Sequence, residues 1–187
     1  DVGVSPVTLD ELAAGEHLLL RRRFAPRRGR NIELGVVELR AVLASQTGWL
    51  NLILADPGGR QLVNLRSEPG APLPPMGERR TFDLVVQSRR PMAGDLVGGP
   101  VGREPVVAVR VPVVREDQVR YVLDGVVPAR NFARILESQR LSPDWVGSIV
   151  DARNIHVART PSPERFIGQP LSAPLVDALS RASEGWI

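Results

Sequence analysis

The chain has 187 residues, of which 43% are hydrophobic, so it can bury a core and is not intrinsically disordered. All 24 basic residues are arginine, the formal net charge is +3, and the lack of cysteine excludes disulfides and thiol chemistry. The arginines are interleaved with acidic residues and no run of 18 apolar residues occurs, so neither nucleic-acid binding nor a membrane span is expected.

The first part of the sequence predicts helices on either side of an arginine-rich segment. Residues 8–20 have a helical pattern that begins with a capping threonine. Residues 21–30 (RRRFAPRRGR) are interpreted as a solvated connector or, alternatively, as a contact for anionic groups. Asn31 can cap a second helix over about 32–47, whose apolar side chains recur at helical spacing. We therefore expect residues 1–48 to form an N-terminal helical region.

Strand and turn signals dominate the middle of the chain. Residues 49–55 are almost continuously apolar, DPGG at 56–59 is a strong turn, and 60–65 return as a second strand. Further elements are predicted as a helix over 82–90, a strand over 92–97, a hairpin of 105–114 with 119–127, and a helix over 128–139. Because hairpins pair antiparallel, we expect an α+β fold with a five-stranded antiparallel sheet and helices on its faces.

Residues 49–73 and 145–171 read as two copies of one pattern, in which a tryptophan opens an apolar run that ends at an aspartate before a turn. The matched pairs are Trp49 and Trp145, Asp56 and Asp151, Arg66 and Arg159, Gly70 and Gly168, Pro72 and Pro170, and Leu73 and Leu171. Such a repeat predicts tandem modules over 49–140 and 141–187. Only one helix-like segment follows the second copy, so we expect the second module to be truncated.

Three segments together resemble the double Cache (PDC, PAS-like) sensor domains of bacterial membrane receptors, in the variant found on sensor histidine kinases. They are GWLNLILADPGGRQLVNLR, AGDLVGGPVGREPVVAVRVPV and VRYVLDGVVPARNFARIL, and the resemblance covers about residues 30–187. It implies an extracytoplasmic, periplasmic portion of an inner-membrane protein. It also implies that the membrane-distal module, here the first, binds a small ligand and that a long helix carries the change towards the membrane.

The sequence departs from the amino-acid-binding version of that family. The segment ERRTFDLVVQ lacks the Trp-Tyr pair of that version. The position that matches its strand aspartate is Val126, whereas Asp124 lies two residues earlier. An amino acid is therefore not the expected ligand.

Five polar residues are candidates for the ligand site. Arg110 and Asp124 each interrupt an apolar strand, where a charge is costly unless it is paired or faces a pocket. If the intervening turn fixes an even register they lie opposite each other, and Arg110 either holds a ligand carboxylate or forms a salt bridge within the sheet. Asp95 is included through the position that the resemblance gives it. Asn51 and Tyr121 are strand residues that face either the pocket or solvent.

The sequence thus predicts the small-molecule sensor domain of a histidine kinase, with a carboxylate as a candidate ligand and with no cofactor, metal or nucleic acid. We expect the parent protein to be anchored in the membrane and to form a homodimer through the N-terminal helix. The alternatives are a chemoreceptor, a cyclic-dinucleotide enzyme, and a structural spacer that binds nothing. A small hydrolase built on His156 and Asp151 is another reading, but no nucleophile motif accompanies the two residues.

Overall fold

A computed structural model describes residues 30–98, 104–142 and 144–181. The chain divides into two compact units, one within Asp1–Gly94 and Ala108–Val127, the other within Asp95–Val107 and Pro128–Ile187. The predicted helix over 8–20 and nearly all of the arginine-rich segment lie outside the described residues.

The described elements alternate short helices with hairpins. In chain order they are α1 (Arg30–Ser45), β1 (Asn51–Ala55), β2 (Gln61–Asn64), α2 (Arg79–Ser88), β3 (Met92–Ala93), β4 (Val97–Gly98), β5 (Pro105–Arg115), β6 (Gln118–Pro128), α3 (Arg130–Ser138), β7 (Gly147–Val150), β8 (His156–Thr160), α4 (Pro163–Phe166) and α5 (Ala173–Arg181). One sheet has the order β2-β1-β6-β5-β3, with β4 also paired to β5, and β7 with β8 forms a second sheet. Antiparallel pairing joins β1 to β2 and β6, and β5 to β3 and β4. The predicted mixed α+β class with antiparallel sheets is confirmed.

Two strand predictions differ from the structure in detail. The single strand expected over 92–97 is two short strands, so the larger sheet has six strands rather than five. The hairpin between β5 and β6 turns at Glu116 and Asp117, both of which have positive φ. Such a two-residue turn matches the twist of its strands, so β5 and β6 run closer to the turn than predicted.

The helices begin where the backbone is capped. Helix α2 starts at Arg79 rather than near residue 82, because the Glu78 carboxylate accepts the Thr81 backbone N–H at 3.0 Å. It ends at Arg89, whose left-handed φ of 58° closes the last turn ahead of a proline. Helix α3 starts at Arg130 rather than residue 128, because Pro128 still belongs to β6.

Each face of the larger sheet carries its own apolar cluster within the first unit. The face towards α1 buries Leu39, Leu52, Leu54, Val63 and Leu65. The face towards α2 buries Ala55, Met76, Phe82, Val85 and Val122. Because successive strand residues point to opposite faces, β1 divides its side chains between both clusters.

The two copies of the repeat fold into hairpins with the same hydrogen bonds. In each, the backbone N–H of the aspartate donates to the carbonyl four residues later, that of Arg60 after Asp56 and that of Ile155 after Asp151. Each aspartate also accepts the backbone N–H of that later residue through Oδ1. Both ladders shift register at the same place, before Ala55 and before Val150. The predicted duplication is therefore confirmed for the hairpins.

The structure corrects some of the residue pairs within that duplication. Ile53 pairs with Asn64 and Ser148 pairs with Arg159, so Arg159 corresponds to Asn64 and not to Arg66. Bridges from Arg60 to Pro75 and from Ile155 to Pro170 likewise match Pro170 with Pro75 instead of Pro72. The ladder fixes these positions, whereas similar letters in a loop carry no register.

Candidate functional site

A buried charged cluster lies on the α2 side of the larger sheet, around Arg110. The Arg110 side chain is 2% exposed. Its Nη1 donates to Glu78 Oε2 at 2.7 Å and to the Thr81 hydroxyl, and its Nη2 donates to the Glu78 carbonyl at 3.1 Å. Its Nε lies 3.2 Å from Asp124 Oδ2. The predicted meeting of Arg110 and Asp124 is confirmed, and it includes a second carboxylate that the sequence did not suggest.

The pKa values of the two carboxylates in this cluster are shifted in opposite directions. Burial raises the pKa of Asp124 from 3.8 to about 6; the charge and hydrogen bonding of Arg110 oppose that rise, and the charge of Glu78 adds to it. Burial also acts to raise the pKa of Glu78, but hydrogen bonds from Thr81 and the charge of Arg110 outweigh it and hold that pKa below its ordinary value. Glu78 is therefore the firmly ionised partner of Arg110, and Asp124 is the one that takes up a proton in mild acid.

Glycine at position 94 leaves room for the Arg110 guanidinium. A Cβ at this position would collide with Arg110 Nη1 and would lie 3.2 Å from the Thr81 hydroxyl. The Gly94 backbone N–H meanwhile donates to the Ala108 carbonyl at 2.7 Å. Any larger residue would have to displace the cluster or this backbone contact.

Asn51 belongs to the same face of the sheet as Asp124. Ile53 is the cross-strand partner of Asp124, and Asn51 precedes it by two residues, so the three side chains share one face. Asn51 Nδ2 donates to Asn64 Oδ1 at 2.8 Å, and Asn64 Nδ2 donates to Gln61 Oε1 at 2.9 Å. Asn51 Oδ1 and Asp124 Oδ1 are both buried and accept no hydrogen bond from the described residues.

The structure does not bring the other two predicted site residues to this cluster. Tyr121 packs against the apolar cluster on the α1 face. It lies on the face opposite to Asp124, because the two residues are three positions apart on β6 and successive side chains of a strand alternate between its faces. Asp95 is buried within the second unit, where its Oδ2 lies 3.5 Å from Arg153 Nε. Of the five candidates, Asn51, Arg110 and Asp124 share one face.

The second unit also contains a cleft that sequence reasoning did not identify. The cleft has a volume of about 310 Å³ and is lined by Leu96, Val97, Gly98, Pro105, Arg153, Ile155 and Gly168. Arg153 donates to the Leu96 carbonyl at 2.6 Å and to Asp151 Oδ2 at 3.1 Å. The backbone N–H groups of Leu96, Arg153 and Ile155 donate to the same carboxylate. Although burial acts the other way, these bonds lower the pKa of Asp151, which serves as a structural anchor.

The chain shares its mixed fold of helices and antiparallel sheets with solved extracellular sensor domains. The resemblance predicted from the sequence is therefore confirmed at the level of the fold.

Particular solved structures are similar to the chain at low sequence identity. The extracellular domain of rpHK1S-Z16, a protein assigned as a histidine kinase, matches with a TM-score of 0.62 and 14% identity over 95% of this chain and 70% of that one. The V. cholerae DctB histidine kinase sensor domain matches with a TM-score of 0.60 and 11% identity, over 92% of this chain and 68% of that one. The ligand-binding domain of the Pseudomonas aeruginosa PAO1 amino acid chemoreceptor PctB, solved with L-Arg, matches with a TM-score of 0.57 and 17% identity, over 86% of this chain and 64% of that one. No protein-family model and no curated protein matches the sequence.

Among the helices of the described residues, none combines the length and apolar character needed to cross a bilayer.

Proposed function

We propose that the chain is the extracytoplasmic small-molecule sensor of a membrane-bound histidine kinase, and that the ligand binds on the α2 face of the first unit's sheet. The shared fold supports the sensor role, because the similar solved structures include sensor and extracellular domains of histidine kinases. The observation that carries the location is the pair of buried, unsatisfied acceptors, Asn51 Oδ1 and Asp124 Oδ1, on one face.

Buried acceptors without a donor are unfavourable. Each costs about 1–3 kcal/mol relative to a satisfied group. Asn51 and Asp124 are diagonal neighbours across β1 and β6, a spacing of roughly 7–8 Å between Cα atoms. A small ligand with two N–H donors spans that distance and removes both penalties.

The charges favour an amine over the carboxylate that the sequence suggested. Arg110 already contacts the carboxylates of Glu78 and Asp124, so the cluster carries one more negative than positive charge when both are ionised. A ligand carboxylate would add a third negative charge at a buried position, whereas an ammonium group would neutralise the excess. The ligand of PctB in its solved complex, L-Arg, carries such N–H donors.

Binding is expected to depend on the charge of Asp124. Protonation of a carboxylate with a pKa of about 6 removes the attraction for an ammonium group, so affinity should fall as the pH drops below that value. The ligand then favours the conformation in which both acceptors receive a hydrogen bond, so the population of that conformation rises on binding.

Calorimetric titration with small primary amines and with matched carboxylates tests this proposal. We expect amines to bind, and Asp124→Asn to weaken them at least about tenfold through loss of a charge-assisted hydrogen bond. Asp83→Asn is the matched control, because Asp83 is 44% exposed and forms a surface ion pair with Arg79. Binding of carboxylates alone, or equal losses in both variants, would refute the location; no binding by either class would favour the structural spacer.

The same proposal assigns the chain to a membrane-anchored protein that forms a homodimer through its N-terminal helix. On α1, Leu39 is fully buried while Val37 is 65% exposed, so an apolar side chain remains on the outer face of that helix. Sedimentation equilibrium of the wild type and Val37→Asp tests the pairing. A wild type that stays monomeric at high concentration would rule it out.

A further inference from the structure

Three positions on one face of the second hairpin carry side chains whose chemistry differs from that of their counterparts in the first hairpin. By the ladder register, Ser148 stands where Ile53 stands and Arg159 stands where Asn64 stands. His156 likewise takes the place of Gln61, directly after the register shift. A neutral amide pair in the first unit is thus replaced by a guanidinium and an imidazole in the second.

Arg159 is a cation that the described protein does not neutralise. Its guanidinium lies over the Phe166 ring, 3.8 Å from the ring centroid. Its Nε is buried and has no hydrogen-bond acceptor, and no carboxylate of the described residues forms an ion pair with it. The stacking holds the guanidinium in one orientation but supplies no negative charge, so an anion with oxygen acceptors would be stabilised there.

Ser148 supplies a hydroxyl beside this cation. Paired residues in an antiparallel ladder share a face, so Ser148 and Arg159 project to the same side. Ser148 is exposed; its Oγ donates to the Ala158 carbonyl at 3.3 Å and lies 2.6 Å from His156 Nδ1. His156 is 3% exposed, and its ring meets Phe166 edge-on with centroids 5.9 Å apart. Burial and the charge of Arg159 lower the pKa of His156, which favours the neutral imidazole. In the tautomer with the proton on Nδ1, the ring donates to Ser148 Oγ, and the serine proton can turn from the Ala158 carbonyl towards an anion.

We propose that the β7–β8 hairpin binds a small oxyanion, a carboxylate or a phosphate group, through the Arg159 guanidinium and the Ser148 hydroxyl. The site belongs to the second unit and does not depend on the amine site of the first. The sheet face that the first hairpin shares with Asp124 of β6 then carries excess negative charge, whereas the equivalent face of the second hairpin carries unpaired positive charge at Arg159.

The test is titration of the chain with inorganic phosphate and, separately, with succinate, followed by calorimetry and by the Arg159 Nε–H resonance in nitrogen-edited NMR spectra. We expect one of the two anions to bind and to shift that resonance, which also tells a phosphate site from a carboxylate site. Arg159→Gln should weaken binding at least about tenfold, and Ser148→Ala by about three- to tenfold. Thermal melts without ligand show whether each variant folds. If Arg159→Gln does not fold, the binding loss in Ser148→Ala and the shift of the Arg159 resonance in the wild type still test the proposal.

Two controls separate this site from general attraction and from the first unit. Arg134→Gln removes an exposed arginine of α3 and should leave binding unchanged. Asp124→Asn should weaken amines but not the oxyanion, so failure of one site is distinguishable from failure of the other. The proposal is overturned by no saturable binding up to about 10 mM, by an unshifted Arg159 resonance, or by equal losses in Arg134→Gln and Arg159→Gln.

Discussion

Asp124→Asn keeps the shape of a buried side chain while removing its charge and its titration. The pKa of Asp124 is raised from 3.8 to about 6, chiefly by burial. The folded protein therefore holds this proton more tightly than the unfolded chain does. Stability from this group is gained as the pH falls from above 6 to below 3.8, and it is lost as the pH rises through that window.

The size of the effect follows from the same shift. A rise of the pKa from 3.8 to about 6 makes the ionised carboxylate cost the fold about 3 kcal/mol at neutral pH, relative to its protonated form. Asparagine resembles the protonated acid in shape and neutrality. We expect Asp124→Asn to be more stable than the wild type by about 3 kcal/mol near pH 7.5, and the difference to be nearly closed near pH 4.

Urea unfolding followed by tryptophan fluorescence, at several pH values between about 4 and 7.5, measures this difference directly. Titration of His156 and Asp151 is common to both proteins and largely cancels. In the control Asp83→Asn, the surface ion pair should change stability by less than about 1 kcal/mol. A wild type that is more stable than Asp124→Asn at neutral pH, or a gap that does not vary with pH, would show that attraction by Arg110 outweighs burial.

Two further pairs of substitutions test contacts inside each unit. Gly94→Ala should lower the free energy of unfolding by about 1–3 kcal/mol, because the new methyl group collides with Arg110. Gly77→Ala is its control and should change the free energy of unfolding by less than about 1 kcal/mol, because no described atom lies within 4 Å of the added Cβ. Equal effects of the two substitutions in thermal melts would contradict the close packing at Gly94. Asp151→Ala should lower the free energy of unfolding by about 2–4 kcal/mol, because the buried carboxylate accepts several backbone N–H groups. Asp56→Ala should lower it by about 1 kcal/mol, because the Asp56 side chain is 27% exposed. The reverse order would show that the turn, and not the buried carboxylate, determines the stability of the hairpin.

The elements that were predicted well are those with a local signal. The apolar run at 49–55, the DPGG turn and the long β-branched strands on either side of Glu116 all carry their own pattern, and the structure contains each of them. The strand over 92–97 was predicted as one element because its composition is uniform. It divides because the pairing with β5 shifts by one residue between Ala93, opposite Val109, and Val97, opposite Val106, and local sequence does not reveal such a shift.

The site was predicted only in part, for a related reason. A charge within an apolar strand identified Arg110 and Asp124, because burial of an unpaired charge is costly anywhere. Glu78 was missed because it lies 32 residues from Arg110 and precedes a helix among other polar residues. Its one local signal was the spacing to Thr81, in which an acidic residue caps the third residue of a helix. Tyr121 was included because a lone tyrosine carries no information about which face it takes.

The shared register of the two hairpins separates the backbone from the chemistry that it presents. The aspartate turn and the shift before Ala55 and Val150 place side chains in the same way in both copies. The side chains themselves have diverged, from Asn64 to Arg159 among others. Exchanging such residues between the copies would therefore change the charge that each face presents while leaving the turns and the register as they are, which is a direct way to alter the two proposed sites.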